Sequence, residues 1–358
     1  MVFRTWEDIQ LNFTSNYIEN IPSSGTVVKV TEGIYWVRMP LPFALDHINL
    51  WLLQDKAGWV LVDTGLNNFE TRTIWHQIFR GFLKNQKLNR IIVTHFHPDH
   101  AGLAGWLCEK FNVELYMPFS EWAYGRMLYG DITKHSRFES IKFYKRAGFK
   151  DSFISKVVSR TKNYRKFVSP LPSSVNKIYD GYTFLVGSDS WEVIIGKGHS
   201  PEHACLLCKE KNVLISGDQV LPKISPNISV SPYEPNANPL AEYLFSLDVL
   251  RKRVPKRTLT LPSHNWPFLK VHQRIKALEL HHKERLKHIE EACRVPTTAV
   301  ALMEVLFKRK LDSHQIFFAI GETIAHLHLL LYSGSIERIF RKDGVLLYCS
   351  KNYEKSTN

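Results

Sequence analysis

Four residues able to bind a metal stand within six positions: His95, His97, Asp99 and His100, in the stretch THFHPDHAGLAG at 94–105. Imidazole nitrogen and carboxylate oxygen are the donors that zinc and its neighbours take, but a lone histidine or aspartate says little, and spacing carries the signal. His95 and His97, two apart in extended chain after the strand-like RIIVTH, project to one side. Pro98 then forces a turn and suits the first position of a helix, which puts Asp99 and His100 in the next helix's first turn. Two donor pairs therefore leave one strand-to-helix loop, aimed at neighbouring points. Three more candidates each close a predicted strand: His199 in GKGHSPEH, Asp218 in LISGDQV and His264 in LPSHN. Strand ends of this kind are where open α/β sheets bind ligands.

The elements that must position these residues follow from hydrophobic periodicity. TVVKV, GIYWVRM, HINLWLLQD and GWVLVDTG, between 26 and 65, read as consecutive strands. A helix over 68–84, the buried strand RIIVTH, a helix from AGLAGWLCEKFN and the strand VELYM complete an α/β layer. Gly102 and Gly105 would let that helix pack closely on the sheet. Residues of about 119–170 have helical periodicity and end in SPLPSS, a helical insertion. Strands resume at YTFLV, WEVIIGKG, HACLLC and NVLISGD, so the second part broadly repeats the first, and two such halves face to face make a four-layer αββα sandwich. Pro222, Pro226, Pro232, Pro235 and Pro239 mark a fixed irregular loop. Helical patterning at 240–253, the strand TLTLP and a basic helix at 270–292 follow. The end reads as a helix near 298–308, a second helix capped by Asp312 or Ser313 and stopped at Gly334, and a hairpin with a KDG turn.

His95-x-His97-x-Asp99-His100, then Gly198-His199, Gly217-Asp218 and His264, in that order, resemble the metallo-β-lactamase superfamily, and VDTG at 62–65 matches a structural motif of the same family. The resemblance spans about residues 26–290. It implies the αββα sandwich as fold for a catalytic domain at 1–293, while the helix, helix and hairpin order of the chain's end fits a small winged-helix-like domain at 294–358. It also implies that His95, His97 and His199 hold one metal, that Asp99, His100 and His264 hold a second, and that Asp218 bridges them. Asp99 and Asp218 are then the expected catalytic carboxylates of a hydrolase that uses a metal-bridging hydroxide. The expected cofactors are two divalent ions, Zn2+ with Fe or Mn as alternatives, since two ions ~3.5–4 Å apart acidify a shared water and clamp the attacking and departing oxygens. Asp63 is expected to hydrogen-bond a ligand imidazole or simply to make a turn before Gly65. His203 reads as a structural histidine opening a strand, with substrate contact or proton donation as the other reading. Cys205 and Cys208, three apart on a strand, point to opposite faces and read as core. Tyr233 is a candidate substrate contact by its place in the proline-rich loop, and HHKER at 281–285 reads as a solvated helix face.

Composition limits the partners. The 358 residues are 44% hydrophobic and 23% charged with a net charge of +13, an ordinary globular balance. MVFRTWEDIQLNF has no apolar leader core, and no uninterrupted apolar run reaches the ~18–20 residues of a bilayer span, so neither a membrane nor export is expected. Five cysteines, an odd number, argue for a reducing compartment, the cytoplasm. Residues 134–166 hold eleven Lys/Arg against Glu139 and Asp151. Such a field either draws in an anion or keeps a surface soluble. Asp218 resembles the carboxylate bridge of glyoxalase II, N-acyl-homoserine lactonases and the phosphodiesterase or ribonuclease branches, which the antibiotic-hydrolysing β-lactamases generally lack. The expected partner is a small anionic thioester or related ester or lactone. Phosphodiester hydrolysis of RNA or nucleotides is the alternative, which pI 9.4 would suit. Against it, IFFAIGETIAHLHLLLYSG is nearly free of Lys/Arg and reads as a packing helix. A single-iron oxygenase of the same fold is a further reading, the substrate and oligomeric state stay open, and a dimer is compatible with the sequence.

Overall fold

The computed structural model describes residues 21–130, 134–158, 164–312 and 315–351. The N-terminal stretch MVFRTWEDIQLNF, Arg160 and Lys162 of the basic stretch, Ser313 and the last seven residues lie outside them.

In chain order the elements are β1 Val27–Thr31, β2 Ile34–Pro40, β3 His47–Asp55, β4 Gly58–Val62, α1 Phe69–Arg80, β5 Leu88–Ile92, α2 Pro98–Ala101, α3 Ala104–Phe111 and β6 Leu115–Pro118. The insertion supplies α4 Phe119–Gly130, α5 Lys134–Ala147, α6 Asp151–Val158 and α7 Tyr164–Phe167. Then follow β7 Asn176–Ile178, β8 Thr183–Val186, β9 Asp189–Gly196, β10 His203–Cys208, β11 Val213–Gly217, α8 Pro239–Arg253, β12 Leu259–Pro262 and α9 Val271–Ala292. Last come β13 Thr297–Thr298, α10 Ala299–Leu306, α11 Gln315–Tyr332, β14 Ile336–Phe340 and β15 Leu346–Ser350. The described residues fall into two compact units. Unit 1 gathers those of 1–130, 163–226 and 247–275, and unit 2 those of 131–162, 227–246 and 276–358.

Unit 1 holds a seven-stranded sheet in the order β1-β2-β3-β4-β5-β6-β7 and a five-stranded sheet in the order β12-β11-β10-β9-β8. Antiparallel hairpins give way to parallel pairs from β4 to β7, and β11 pairs β12 in parallel, so these strands end on a common edge. Period-two alternation sorts the side chains. Trp36, Trp51, Val60 and Val62 from one sheet meet Trp191, Val193, Leu206 and Ile215 from the other between the layers. Val37, Leu50, Leu52 and Leu61 face outward under Ile74, Trp75 and Ile78 of α1 and Leu107 of α3. The second sheet is tied to the end of α8 by Arg253, which pairs Glu192 of β9 at 2.6 Å. An αββα sandwich results, as the strand order implies.

Several local expectations hold for stated reasons. Asn68 caps α1 by accepting from the Thr71 N–H at 2.7 Å. Asp312 Oδ1 accepts from the Gln315 N–H at 2.9 Å at the start of α11. Cys205 and Cys208 are both fully buried on opposite faces of β10. Gly102 and Gly105 do permit close packing, but against loops rather than the sheet. A Cβ at 102 would lie 2.5 Å from the Gly65 carbonyl, and one at 105 would lie 1.8 Å from that of Pro170. The two- and three-residue strands β13 and β7 are too short to show a period.

Unit 2 contains α5, α6, α10, α11 and the three-stranded sheet β13-β15-β14. By length and composition α11 passes as a bilayer span, although Glu322, His326 and His328 interrupt its apolar run. Its Glu322, Thr323, His326 and His328 are nevertheless all buried within the unit. His326 donates from Nδ1 to the Glu322 carbonyl at 2.8 Å, and its Nε2 accepts from His282 Nδ1 at 3.1 Å. Burial lowers both imidazoles, His326 to about 4 and His282 well below its ordinary value. A folded pKa below the unfolded one favours the neutral ring, so this stabilisation is complete above pH ~6.5 and is lost as pH falls toward 4. Hydrogen exchange should show the opening free energy of the α11 amides dropping by roughly 3 kcal/mol over that interval from His326. The slope should shrink in H326Q, and a pH-independent opening energy would contradict the assignment.

Candidate metal centre

Each sequence-predicted ligand follows the end of a strand in unit 1. His95, His97, Asp99 and His100 follow β5, His199 follows β9, Asp218 follows β11 and His264 follows β12. The structure brings all seven together in two groups. The donor atoms of His95, His97, His199 and Asp218 lie within 4.8 Å of one another, and so do those of Asp99, His100 and His264. His95 Nε2 stands 2.8 Å from His97 Nδ1 and 3.3 Å from His199 Nε2. Asp218 faces both groups: Oδ2 lies 3.4 Å from His199 Nε2, and Oδ1 lies 3.3 Å from His264 Nε2 and 3.6 Å from His100 Nε2. Asp99 Oδ2 lies 3.5 Å from His264 Nε2 and 3.6 Å from His100 Nε2.

Apart from the 2.8 Å between His95 and His97, those separations are long for hydrogen bonds. Two donors each about 2.1 Å from one ion, at tetrahedral angles, would stand about 3.4 Å apart. Two of the atoms concerned, His100 Nε2 and Asp218 Oδ1, are buried without a hydrogen-bond partner. Orphaned buried polar atoms are rare enough in native structures to call for a missing ion or water. The donor set, all nitrogen and carboxylate oxygen, fits a divalent metal of the zinc class.

The surroundings fix which ring atoms carry protons. His264 donates from Nδ1 to the His47 carbonyl at 2.8 Å, which turns Nε2 toward Asp99 and Asp218. His100 donates from Nδ1 to Asp63 Oδ2 at 2.8 Å, with the same result. His95 Nδ1 lies 3.0 Å from Thr94 Oγ1, whose hydroxyl reaches Asp63 Oδ2 at 2.9 Å. One carboxylate thus orients an imidazole in each group, as outer partners of metal-ligating histidines do. Asp63 takes a left-handed backbone, φ 60°, and also accepts from the Thr94 N–H at 2.8 Å. His203 is buried, and its Nε2 accepts from the Asp218 N–H at 3.0 Å, so it holds the backbone of Asp218. Gly217 beside it has φ 51°, and any Cβ there would come within 2.4 Å of the His203 ring. Tyr233 belongs to unit 2 and is 39% exposed.

Burial and mutual repulsion hold His95 and His97 well below the ordinary imidazole value. Burial brings His203 down to about 3. Burial also works against charge on His100 and His264, but neighbouring carboxylates, Asp99 and Asp218 for both and Asp63 for His100, outweigh it and raise them. Asp218 is pushed up by burial and pulled further down by His264 and His100, ending well below the carboxylate range. His95 and His97 are therefore neutral nitrogen donors, whereas the second group is an ion-paired set whose protons a metal would displace.

Residues 44–264 match the profile of the Metallo-beta-lactamase superfamily, and residues 286–351 match that of its Metallo-beta-lactamase-like, C-terminal domain. This chain belongs to the metallo-beta-lactamase superfamily. The fold is similar to the crystal structure of a beta-lactamase domain protein from Burkholderia ambifaria, with TM-score 0.89 and 39% identity over 96% of this chain and 99% of that one. In sequence it is similar to the "Probable metallo-hydrolase YqjP" of Bacillus subtilis, 24% identical over 84% of this chain and 92% of the relative. It is also similar to the acyl-coenzyme A thioesterase MBLAC2 of Bos taurus, 23% identical over 53% of this chain and 64% of that protein. The chain is a hydrolase of this superfamily.

Sequence reasoning passed over four residues that brace the ligand loops. His47 and Asn49 open β3 on one face. Asn265 N–H donates to His47 Nε2 at 2.7 Å, and Asn49 Nδ2 donates to the Pro262 carbonyl at 2.9 Å, which docks the His264 loop on the first sheet. Two polar residues in an otherwise apolar, buried strand were the available signal. Arg274, fully buried, donates to the Leu221 and Ile224 carbonyls at 2.6 and 2.8 Å and braces the loop after Asp218. Glu121 reaches the ligand loops from α4. Because Asp63 orients rings in both groups, D63N should weaken both divalent-metal equivalents by about 10–100-fold in a calorimetric titration. A loss confined to one equivalent would contradict that shared role.

Proposed function

We propose that this hydrolase cleaves thioesters, or related esters and lactones, of small anionic molecules. Two divalent ions, zinc in the first instance, would sit in the two donor groups with Asp218 between them. The observation that carries the reading is the Asp218 carboxylate, which presents one oxygen to His199 and the other to His264 and His100. Ions bound there would supply an acidified attacking water and a positive clamp for the carbonyl oxygen. The residues do the remaining work. His95 and His97 offer neutral nitrogens, Asp63 keeps the proton of His100 on the far side of its ring, and His203 holds the peptide of Asp218. Asp99 has the more open of the two carboxylates, 19% against 9%, and is placed to take the proton of the attacking water.

A thioester asks least of such a site, because a thiolate leaves without needing a proton. The similarity to an acyl-coenzyme A thioesterase and the net charge of +13 support this substrate class. The five cysteines, all among the described residues, are buried and joined by no disulfide, which supports the cytoplasm as compartment.

The test combines metal analysis with a panel of acyl thioesters, lactones, cyclic dinucleotides and single-stranded RNA. Thioester or lactone turnover should fall at least about 10³-fold in D218A, with bound metal dropping from two equivalents to one or fewer. Turnover of RNA alone, abolished by the same substitution, would replace the acyl substrate with a phosphodiester. A single bound iron in the wild type would overturn the two-metal site.

A further inference from the structure

Phe96 lies between His95 and His97, and side chains from the helical insertion take both of its backbone polar groups. Its N–H donates to Glu121 Oε2 of α4 at 3.0 Å, and its carbonyl accepts from the Tyr164 hydroxyl of α7 at 2.6 Å. The other oxygen, Glu121 Oε1, accepts from Ser200 Oγ at 2.7 Å and from the Glu202 N–H at 2.6 Å, on the loop that carries His199. Ser120, next along α4, donates to the Glu202 carboxylate at 2.5 Å. One buried carboxylate therefore fastens the ligand loop of the seven-stranded sheet to that of the five-stranded sheet.

The clamp has a definite cost and a made-to-fit space. Glu121 is fully buried, and desolvation pushes its carboxyl up to about 7. Three donors surround it, an environment that suits an acceptor-only carboxylate. Gly125, one turn further along α4, leaves room for Tyr164: a Cβ there would come within 2.9 Å of the hydroxyl and 3.0 Å of Leu171. The other donor group has separate supports, since His100 rests on Asp63 and His264 on the His47 carbonyl.

We propose that Glu121, assisted by Tyr164, is a positioning residue for the His95–His97–His199 group, holding donors from two sheets in register before any ion arrives. This rests on the reading of that group as a metal site. Nothing in the pattern FSEWAYG marks Glu121 in sequence, because its partners are 25, 79 and 81 positions away.

Apoprotein stripped with chelator is titrated with Co2+, followed by calorimetry and by the visible absorption of the bound ion. H199A and H264A identify which signal belongs to which group. E121Q keeps an oxygen for Ser200 and Glu202 but turns an amide NH2 toward the Phe96 N–H. It should lose about 10–100-fold in affinity at the first group, with an altered absorption there, while the second group stays within about twofold. Y164F removes a single hydrogen bond and should lose about fivefold at the same group, which keeps the test open if E121Q does not fold. Wild-type affinity and absorption at the first group in both variants, or equal losses at both groups, would overturn the positioning role. If wild type and H199A take up Co2+ alike, the metal reading of the group itself falls, and the inference with it.

Discussion

The site depends first on one buried carboxylate. Asp63 ends β4 in a left-handed turn and sends its two oxygens to the Thr94 amide and hydroxyl and to His100 Nδ1. The parallel pairing of β4 with β5 puts the ends of the two strands side by side, so the carboxylate arrives opposite the start of the ligand loop. A donor hydrogen bond to a carboxylate sets both the proton position and the ring angle of an imidazole. Without it, His95 and His100 would have either nitrogen free to turn inward. With it, Nε2 of each ring faces its group.

The second constraint is electrostatic. Six histidines and three aspartates converge where little solvent reaches, and such a cluster is tolerable only if charges are paired or absent. The chain uses both solutions side by side. His95 and His97 stay neutral because they are buried among other imidazoles, whereas His100 and His264 sit against Asp218 and Asp99 and favour their charged forms. A divalent ion would take over the role of those protons. The orphaned Asp218 Oδ1 and His100 Nε2 mark where the protein alone leaves valence unsatisfied.

The ligand residues were legible in sequence because each closes a strand and the densest four share one strand-to-helix loop. The fold was legible for a related reason: long period-two and helical patterns survive in β2, β3, β9 and α9, whereas β7 and β13 carry too few residues to show one. What sequence could not show is the framework holding the ligands. Glu121, Tyr164, His47, Asn49 and Arg274 act on residues between 25 and 218 positions away, and no local pattern records such a partner. Asp63 was visible only as one of two readings, a turn residue or a partner of a ligand ring, and the structure shows it making both contacts. Gly102 and Gly105 were read as seats on the sheet, but their neighbours are loop carbonyls, which come from segments with no periodicity to place them.

Anomalous diffraction from crystals of the zinc-loaded protein, collected on both sides of the zinc absorption edge, addresses the central claim directly. Two peaks are expected, one bonded to His95, His97 and His199 and the other to Asp99, His100 and His264, with Asp218 touching both. A single peak, or two peaks that leave Asp218 unligated, would contradict the account.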